Sequence, residues 1–177
     1  MSARPNVKVR RLVRNKSSRN GARPQLIVLH STEGSNVKGL GDLVGLGGFF
    51  DRPAVQASSH VATDAEGNSA RYVRDSDKAW TQAHYNPVSL SIEQVGAAAQ
   101  KSWSLAQRQE TARWIAYWSK KHGIPIRKAI VSNGRVVRSG VIRHSELGSL
   151  GGNHHDPGRG FDLHYVLERA RKYRRQL

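Results

Sequence analysis

The sequence predicts a mixed α/β (α+β) domain, with one central mixed β-sheet flanked by helices. Three observations predict it. Short apolar runs of strand length alternate with longer stretches of helical spacing, the pattern of a sheet with helices packed on it. No internal repeat and no linker divides the 177 residues. A chain of that length buries roughly 70% of the surface its unfolded form exposes, enough for a core without covalent staples.

The elements follow in chain order. Residues 1–24 hold eight Lys/Arg and no acid, and read as a basic N-terminal arm ahead of a domain spanning 25–177. Val7 and Val9 alternate with basic residues, which also permits a short edge strand. Residues 25–30 include the run LIVLH, a buried strand that ends on a histidine. Residues 37–51 carry Leu40, Leu43, Val44 and Phe50 at helical spacing. Five glycines weaken that helix, each by about 1 kcal/mol against Ala, so one short helix and a flexible loop are expected.

Residues 58–74 read as two short strands around the turn Asp64-Ala65-Glu66-Gly67-Asn68. LSIEQV at 90–95 is a further strand. Residues 105–122 are the clearest helix, with Ser104 and Gln107 as a capping box and Gly123 and Pro125 as the stop. Ile130 and Val131 begin a short strand or turn, and Val141-Ile142-Arg143-His144 is a second apolar approach to a histidine. Asp162 caps a last helix, with Leu163, Val166, Leu167 and Ala170 inward.

Composition limits the chemistry. Cysteine is absent, so there is no disulfide and no thiolate ligand or nucleophile, and any metal is held by His, Asp or Glu. The net charge of +16 and a pI near 11.1 point to a polyanionic partner: nucleic acid, an anionic membrane surface, or a wall bearing acidic polymers. No apolar run approaches the ~18 residues of a membrane span. The basic N-terminus has no apolar segment of the secretory-signal kind.

Three stretches stand out together: Leu29-His30-Ser31, Arg143-His144-Ser145, and Asn153-His154-His155-Asp156-Pro157-Gly158. Two are strand ends and one is a Gly-rich loop. A catalytic zinc needs three protein ligands and an open fourth position. Two imidazoles and a carboxylate leave a site charge near +1, which brings the pKa of bound water toward ~7. Each piece alone is also an ordinary structural feature, and neither an HExxH helix nor a Cys pair is present.

The order LIVLHST, SSHVATDAEG, RDSDKAW, SLSIEQVG, VIRHSELG, HHDPGRGFDL resembles the zinc-dependent N-acetylmuramoyl-L-alanine amidases, the amidase-2 group related to peptidoglycan recognition proteins and small phage endolysins. The resemblance covers roughly residues 25–170 and lies in the succession of motifs. It implies a peptidoglycan recognition protein-like fold for the catalytic domain at 25–177. It implies one Zn2+ per chain held by His30, His144 and Asp156, with Glu93 as the base. His154 stands two residues before the metal Asp, where many members have Lys, and is the expected oxyanion donor. His155 is a competing ligand. His60 and His84 match histidines that can contact substrate. Glu33, Glu66 and Glu146 are further carboxylates near these motifs, Glu146 as a partner orienting a ligand.

The implied activity is hydrolysis of the amide between N-acetylmuramic acid and L-alanine, leading to wall lysis. The implied partners are peptidoglycan and, through the basic surface, anionic wall polymers. A monomer without nucleic acid is expected. A small, basic chain without a signal segment is expected to act as an endolysin, held in the host cytoplasm until released to the wall. A non-catalytic peptidoglycan-binding module, a zinc peptidase acting within the stem peptide and a nucleic-acid-binding protein are the rival readings. The last rests on charge alone, because no basic-aromatic binding motif accompanies it.

Overall fold

The computed structural model describes residues 2–36 and 39–177. Among the described residues ten strands and three α-helices follow one another: β1 (Val7–Arg10), β2 (Lys16–Ser18), β3 (Leu26–Ser31), α1 (Gly41–Phe50), β4 (Val61–Thr63), β5 (Ser69–Arg71), β6 (Asp77–Ala79), β7 (Ser89–Gln94), α2 (Leu105–His122), β8 (Ile130–Ser132), β9 (Arg135–Arg138), β10 (Gly140–Arg143) and α3 (Leu163–Arg174). Six strands form the main sheet in the order β1-β5-β4-β7-β3-β10. Only β4 and β5 pair antiparallel within it. The sheet is mixed, as the sequence predicts.

Strand parity sorts the core. Ile27, Leu29, Leu90, Ile92 and Val141 point to one face, where Trp114, Ile115 and Trp118 of α2, Val166 of α3 and Phe161 just ahead of α3 cover them. Leu26, Val28 and Ile142 point to the other face and meet Tyr85, Ala129 and Leu147. On that same face, Ala62, Ala70 and Tyr72 pack with Leu43 and Phe50 of α1. Because both faces are covered, β3 and β7 are buried along their whole length and read as continuous strands.

Residues 2–24, expected as an arm, lie against the domain. β1 is an edge strand of the sheet, parallel to β5, and β2 pairs with β6. Ala3 and Val13 are buried. Arg19 is 6% exposed and donates to the carbonyls of Asp75 (2.8 Å), Pro87 (2.6 Å) and Ser89 (2.7 Å). A charge so placed is part of the interior. The run of basic residues concealed it, because composition does not tell a solvated Arg from one that collects buried carbonyls.

Local details differ in two places. Ser104 Oγ accepts from the Gln107 backbone N–H (3.0 Å), but the Gln107 side chain does not return the bond. Its amide instead donates to the Thr63 and Val95 carbonyls, tying α2 to the sheet. Ile130 and Val131 open an antiparallel hairpin of β8 and β9, turned by Asn133 (φ 47°) and Gly134 (φ 74°), a pair suited to the left-handed region. Asp162 Oδ1 accepts from the Tyr165 N–H (3.0 Å) at the start of α3. The loop expected ahead of α1 includes residues 37 and 38, which lie outside the described residues. No helix among the described residues is long and apolar enough to cross a membrane.

Candidate metal centre and active site

Parallel register brings the strand ends together. His30 in β3 lies beside Glu93 in β7, and Arg143 of β10 lies beside Leu29. His144 therefore continues β10 to the level of His30. Parity puts His30 with Leu26 and Val28, His144 with Ile142, and Glu93 with Ser89 and Ser91. All three side chains face away from α2 and α3, at the carboxyl ends of parallel strands, where open sheets place ligands.

The third member comes from the loop before α3. The Ser145 N–H donates to the Asp156 carbonyl (3.0 Å), and the Ser31 N–H donates to Asp156 Oδ2 (3.2 Å). The Asp156-Pro157 peptide is cis. Gly158 follows with φ +79°, and a Cβ there would sit 2.0 Å from the Ala98 carbonyl oxygen, so only glycine lets the loop approach this closely.

His30, His144 and Asp156 are all buried, and their ligand atoms lie within 4.8 Å of one another. His30 Nδ1 is 2.9 Å from His144 Nδ1, and Asp156 Oδ1 is 3.1 Å from His144 Nδ1. His144 Nε2 faces the Gly151 carbonyl at 2.8 Å. A carbonyl only accepts, so Nε2 carries the hydrogen and the Nδ1 lone pair points into the cluster. Burial lowers the pKa of His30 to about 4 against the opposing pull of Asp156, which keeps it neutral. Burial alone would raise Asp156, but the His144 and His30 imidazoles packed against it hold it well below the usual carboxylate range. Two imidazoles and one carboxylate, with His144 and Asp156 held by hydrogen bonds from outside the cluster, are a donor set that fits zinc.

Glu93 sits beside this cluster, 9% exposed, with Oε2 unpartnered among the described residues. Burial, then the Asp156 and Glu33 carboxylates, push its pKa up to about 8. A buried carboxyl poised near neutrality beside a candidate metal is suited to moving protons. The cavity in front measures about 250 Å³ and is walled by Leu46, Phe49 and Trp80 opposite the polar cluster.

The other predicted residues divide. His154 lies at the cavity mouth, half-exposed, stacked on His144 with centroids 3.9 Å apart and Nδ1 3.4 Å from Asp156. Burial and the neighbouring His144 lower its pKa. His155 turns outward to Glu33 (3.4 Å), which leaves the ligand position to Asp156. Glu33 takes a left-handed φ of 57° and accepts from Ser31 Oγ and the Ala98 N–H, bracing the rim. Glu66 accepts from the Gly39 N–H, and Glu146 pairs with Lys128 (2.5 Å), so neither reaches the ligands.

His60 and His84 are corrections. His60 is fully buried behind the cavity, between Arg19 (2.8 Å) and Ser91 Oγ (2.9 Å), and offers no atom to a substrate. Burial and the Arg19 charge lower its pKa to about 3. His84 is exposed, bonds the Gly134 carbonyl (2.9 Å) of the β8–β9 turn, and does not line the cavity. The residue that sequence reasoning missed is Gly151. Its carbonyl fixes the His144 tautomer, and its only sequence signal is the glycine-rich turn LGSLGGN after the histidine.

Known structures share this architecture. The fold matches the Staphylococcus aureus hydrolase AmiA in complex with its ligand at a TM-score of 0.73, with 18% identity over 97% of this chain and 84% of that one. It matches AmpD at 0.68, with 18% identity over 93% of each chain. It also matches the endolysin N-acetylmuramoyl-L-alanine amidase LysCS from Clostridium intestinale at 0.66, with 14% identity over 97% and 99%. No curated protein sequence matches the chain. At these identities the structural matches speak for the fold, while the family profile described as N-acetylmuramoyl-L-alanine amidase matches the sequence itself over residues 20–159, a span that includes His30, Glu93, His144 and Asp156. The chain belongs to the N-acetylmuramoyl-L-alanine amidase family.

Proposed function

We propose that the protein is a zinc-dependent peptidoglycan hydrolase that cleaves the amide between N-acetylmuramic acid and L-alanine. The observation that carries this reading is the convergence of His30, His144 and Asp156 within 4.8 Å, beside a buried Glu93. These three residues would hold a zinc ion, which would supply Lewis acidity at the scissile carbonyl and lower the pKa of the attacking water.

The protein's own groups do the rest. Glu93, once deprotonated, takes a proton from the water and returns it to the nitrogen of the departing L-alanine, a role worth about 10²–10⁴ in rate. His154, at the mouth, donates a hydrogen bond to the carbonyl oxygen as it gains charge. As an imidazole with a lowered pKa, it serves as a neutral donor at pH 7 in place of a permanent cation. Gly151 and the Ser31 N–H hold the metal residues in position. Leu46, Phe49 and Trp80 give the glycan and stem peptide an apolar wall and limit water. Cleavage of this bond strips peptide from glycan, and we place the action at the bacterial wall, with lysis as its outcome.

Product analysis tests the reading. Purified peptidoglycan digested by the zinc-loaded protein should release peptides with free L-alanine amino termini and leave intact glycan strands. New amino termini elsewhere in the stem peptide would make it a peptidase, and new reducing sugars would make it a glycosidase.

A further inference from the structure

A second cavity, about 520 Å³, lies between the β1–β5 edge of the sheet and α2. It shares no lining residue with the catalytic cavity. Arg4, Arg10, Arg71, Lys120 and Lys121 line it, and no Asp or Glu does. Arg71 and Lys121 are already paired with Asp75 at 3.0 and 2.8 Å, and Lys120 reaches the Leu177 carbonyl. Arg4 and Arg10 carry no ion pair among the described residues and are exposed. Trp114 forms part of the wall, 2% exposed, and its indole N–H has no partner among the described residues. Arg4 and Arg10 also lie outside residues 20–159, the span matched by the family profile, so the segment that completes this groove is additional to it.

We infer that this groove binds a phosphodiester-linked anionic polymer of the bacterial wall. Five clustered cations, of which only Arg71 and Lys121 are paired with a carboxylate, attract a repeating anion, and arginine forks suit phosphate oxygens. A nucleic acid is disfavoured by the aromatic groups. Single-strand binders present open aromatic faces to bases. Here the Trp114 ring lies under the Arg71 guanidinium (5.2 Å), and Tyr117 lies under Lys121 (5.6 Å) with its ring against Trp114. The expectation that such a polymer is the one encountered rests on the proposed wall activity, whereas binding itself does not.

Titration calorimetry with poly(glycerol phosphate) tests the inference. This polymer has no amide, so the result is independent of whether the chain cleaves peptidoglycan. The triple variant Arg4→Gln, Arg10→Gln, Lys120→Gln should bind at least tenfold more weakly at 50 mM salt. Its plot of log affinity against log salt should flatten by about 2, as expected for three lost phosphate contacts to a single strand. A control triple, Arg127→Gln, Arg135→Gln, Arg138→Gln, removes the same charge around the β8–β9 hairpin and should lose less than threefold. Thermal unfolding confirms that both variants fold. Equal losses in the two triples would overturn the inference in favour of diffuse net charge. Tighter binding of a single-stranded DNA 20-mer, lost in the groove variant, would overturn it in favour of a nucleic-acid site.

Discussion

Replacing Glu93 with Gln should stabilise the metal-free protein, and by more as the pH rises. Glu93 is buried in β7, and burial, then the Asp156 and Glu33 carboxylates, raise its pKa from 4.5 to about 8. Between those values the native state keeps a proton that the unfolded chain has released. The native state therefore binds more protons, and stability falls as pH rises through this window, by about 1.4 kcal/mol per pH unit. Below the window both states are protonated, and above it both are ionised. Gln keeps the shape and cannot ionise. The stability gap between variant and wild type should widen by about 3 kcal/mol from pH 5 to pH 7.5. His30 and His60 act in the opposite sense. Their lowered pKa values make stability rise with pH up to about 6.5, but equally in both proteins, so the difference isolates Glu93. Urea unfolding followed by tryptophan fluorescence, in chelator, at four pH values measures the gap. A gap that stays constant would mean that Glu93 ionises like a solvated carboxylate, and the argument for a poised base would fail.

Other predictions address the supports. Arg19→Ala should cost about 3–5 kcal/mol in denaturant unfolding, because it leaves the Asp75, Pro87 and Ser89 carbonyls unpaired in the interior; a loss below about 1 kcal/mol would return residues 2–24 to the status of a loose arm. Gly158→Ala should lower stability by about 2–4 kcal/mol and weaken zinc binding at least tenfold, since the Ala98 carbonyl and the positive φ both oppose a Cβ beside the Asp156 loop. Zinc titration and unfolding check it, and an unchanged affinity would show that the loop does not set the Asp156 position.

The parts of the site that were legible in the sequence share one trait: they sit where a strong local pattern ends. LIVLHS and GVIRH are apolar runs that stop on histidine, and strand parity carries both imidazoles to the same face. Asp156 was legible through the Pro and Gly that follow it. The misreadings arose where function depends on what lies across space. His60 resembles a histidine at the start of the family's hairpin, yet Arg19, 41 positions earlier, claims its ring. The alternation of Val7 and Val9 showed β1, but the short strands β2 and β6 carry too few residues for periodicity to show, and their pairing comes from long-range contacts. The Asp75 cluster, which gathers Arg71, Lys121 and His122, is invisible in the same way, because its members lie up to 47 residues from Asp75.

Zinc content and amidase activity, measured on the same samples of wild type, Glu93→Gln and Asp156→Ala, test the central claim most directly. After equilibrium dialysis, wild type and Glu93→Gln should each hold one zinc and Asp156→Ala essentially none. Only wild type should release L-alanine amino termini from peptidoglycan. Full zinc retention by Asp156→Ala, or undiminished cleavage by Glu93→Gln, would contradict the account.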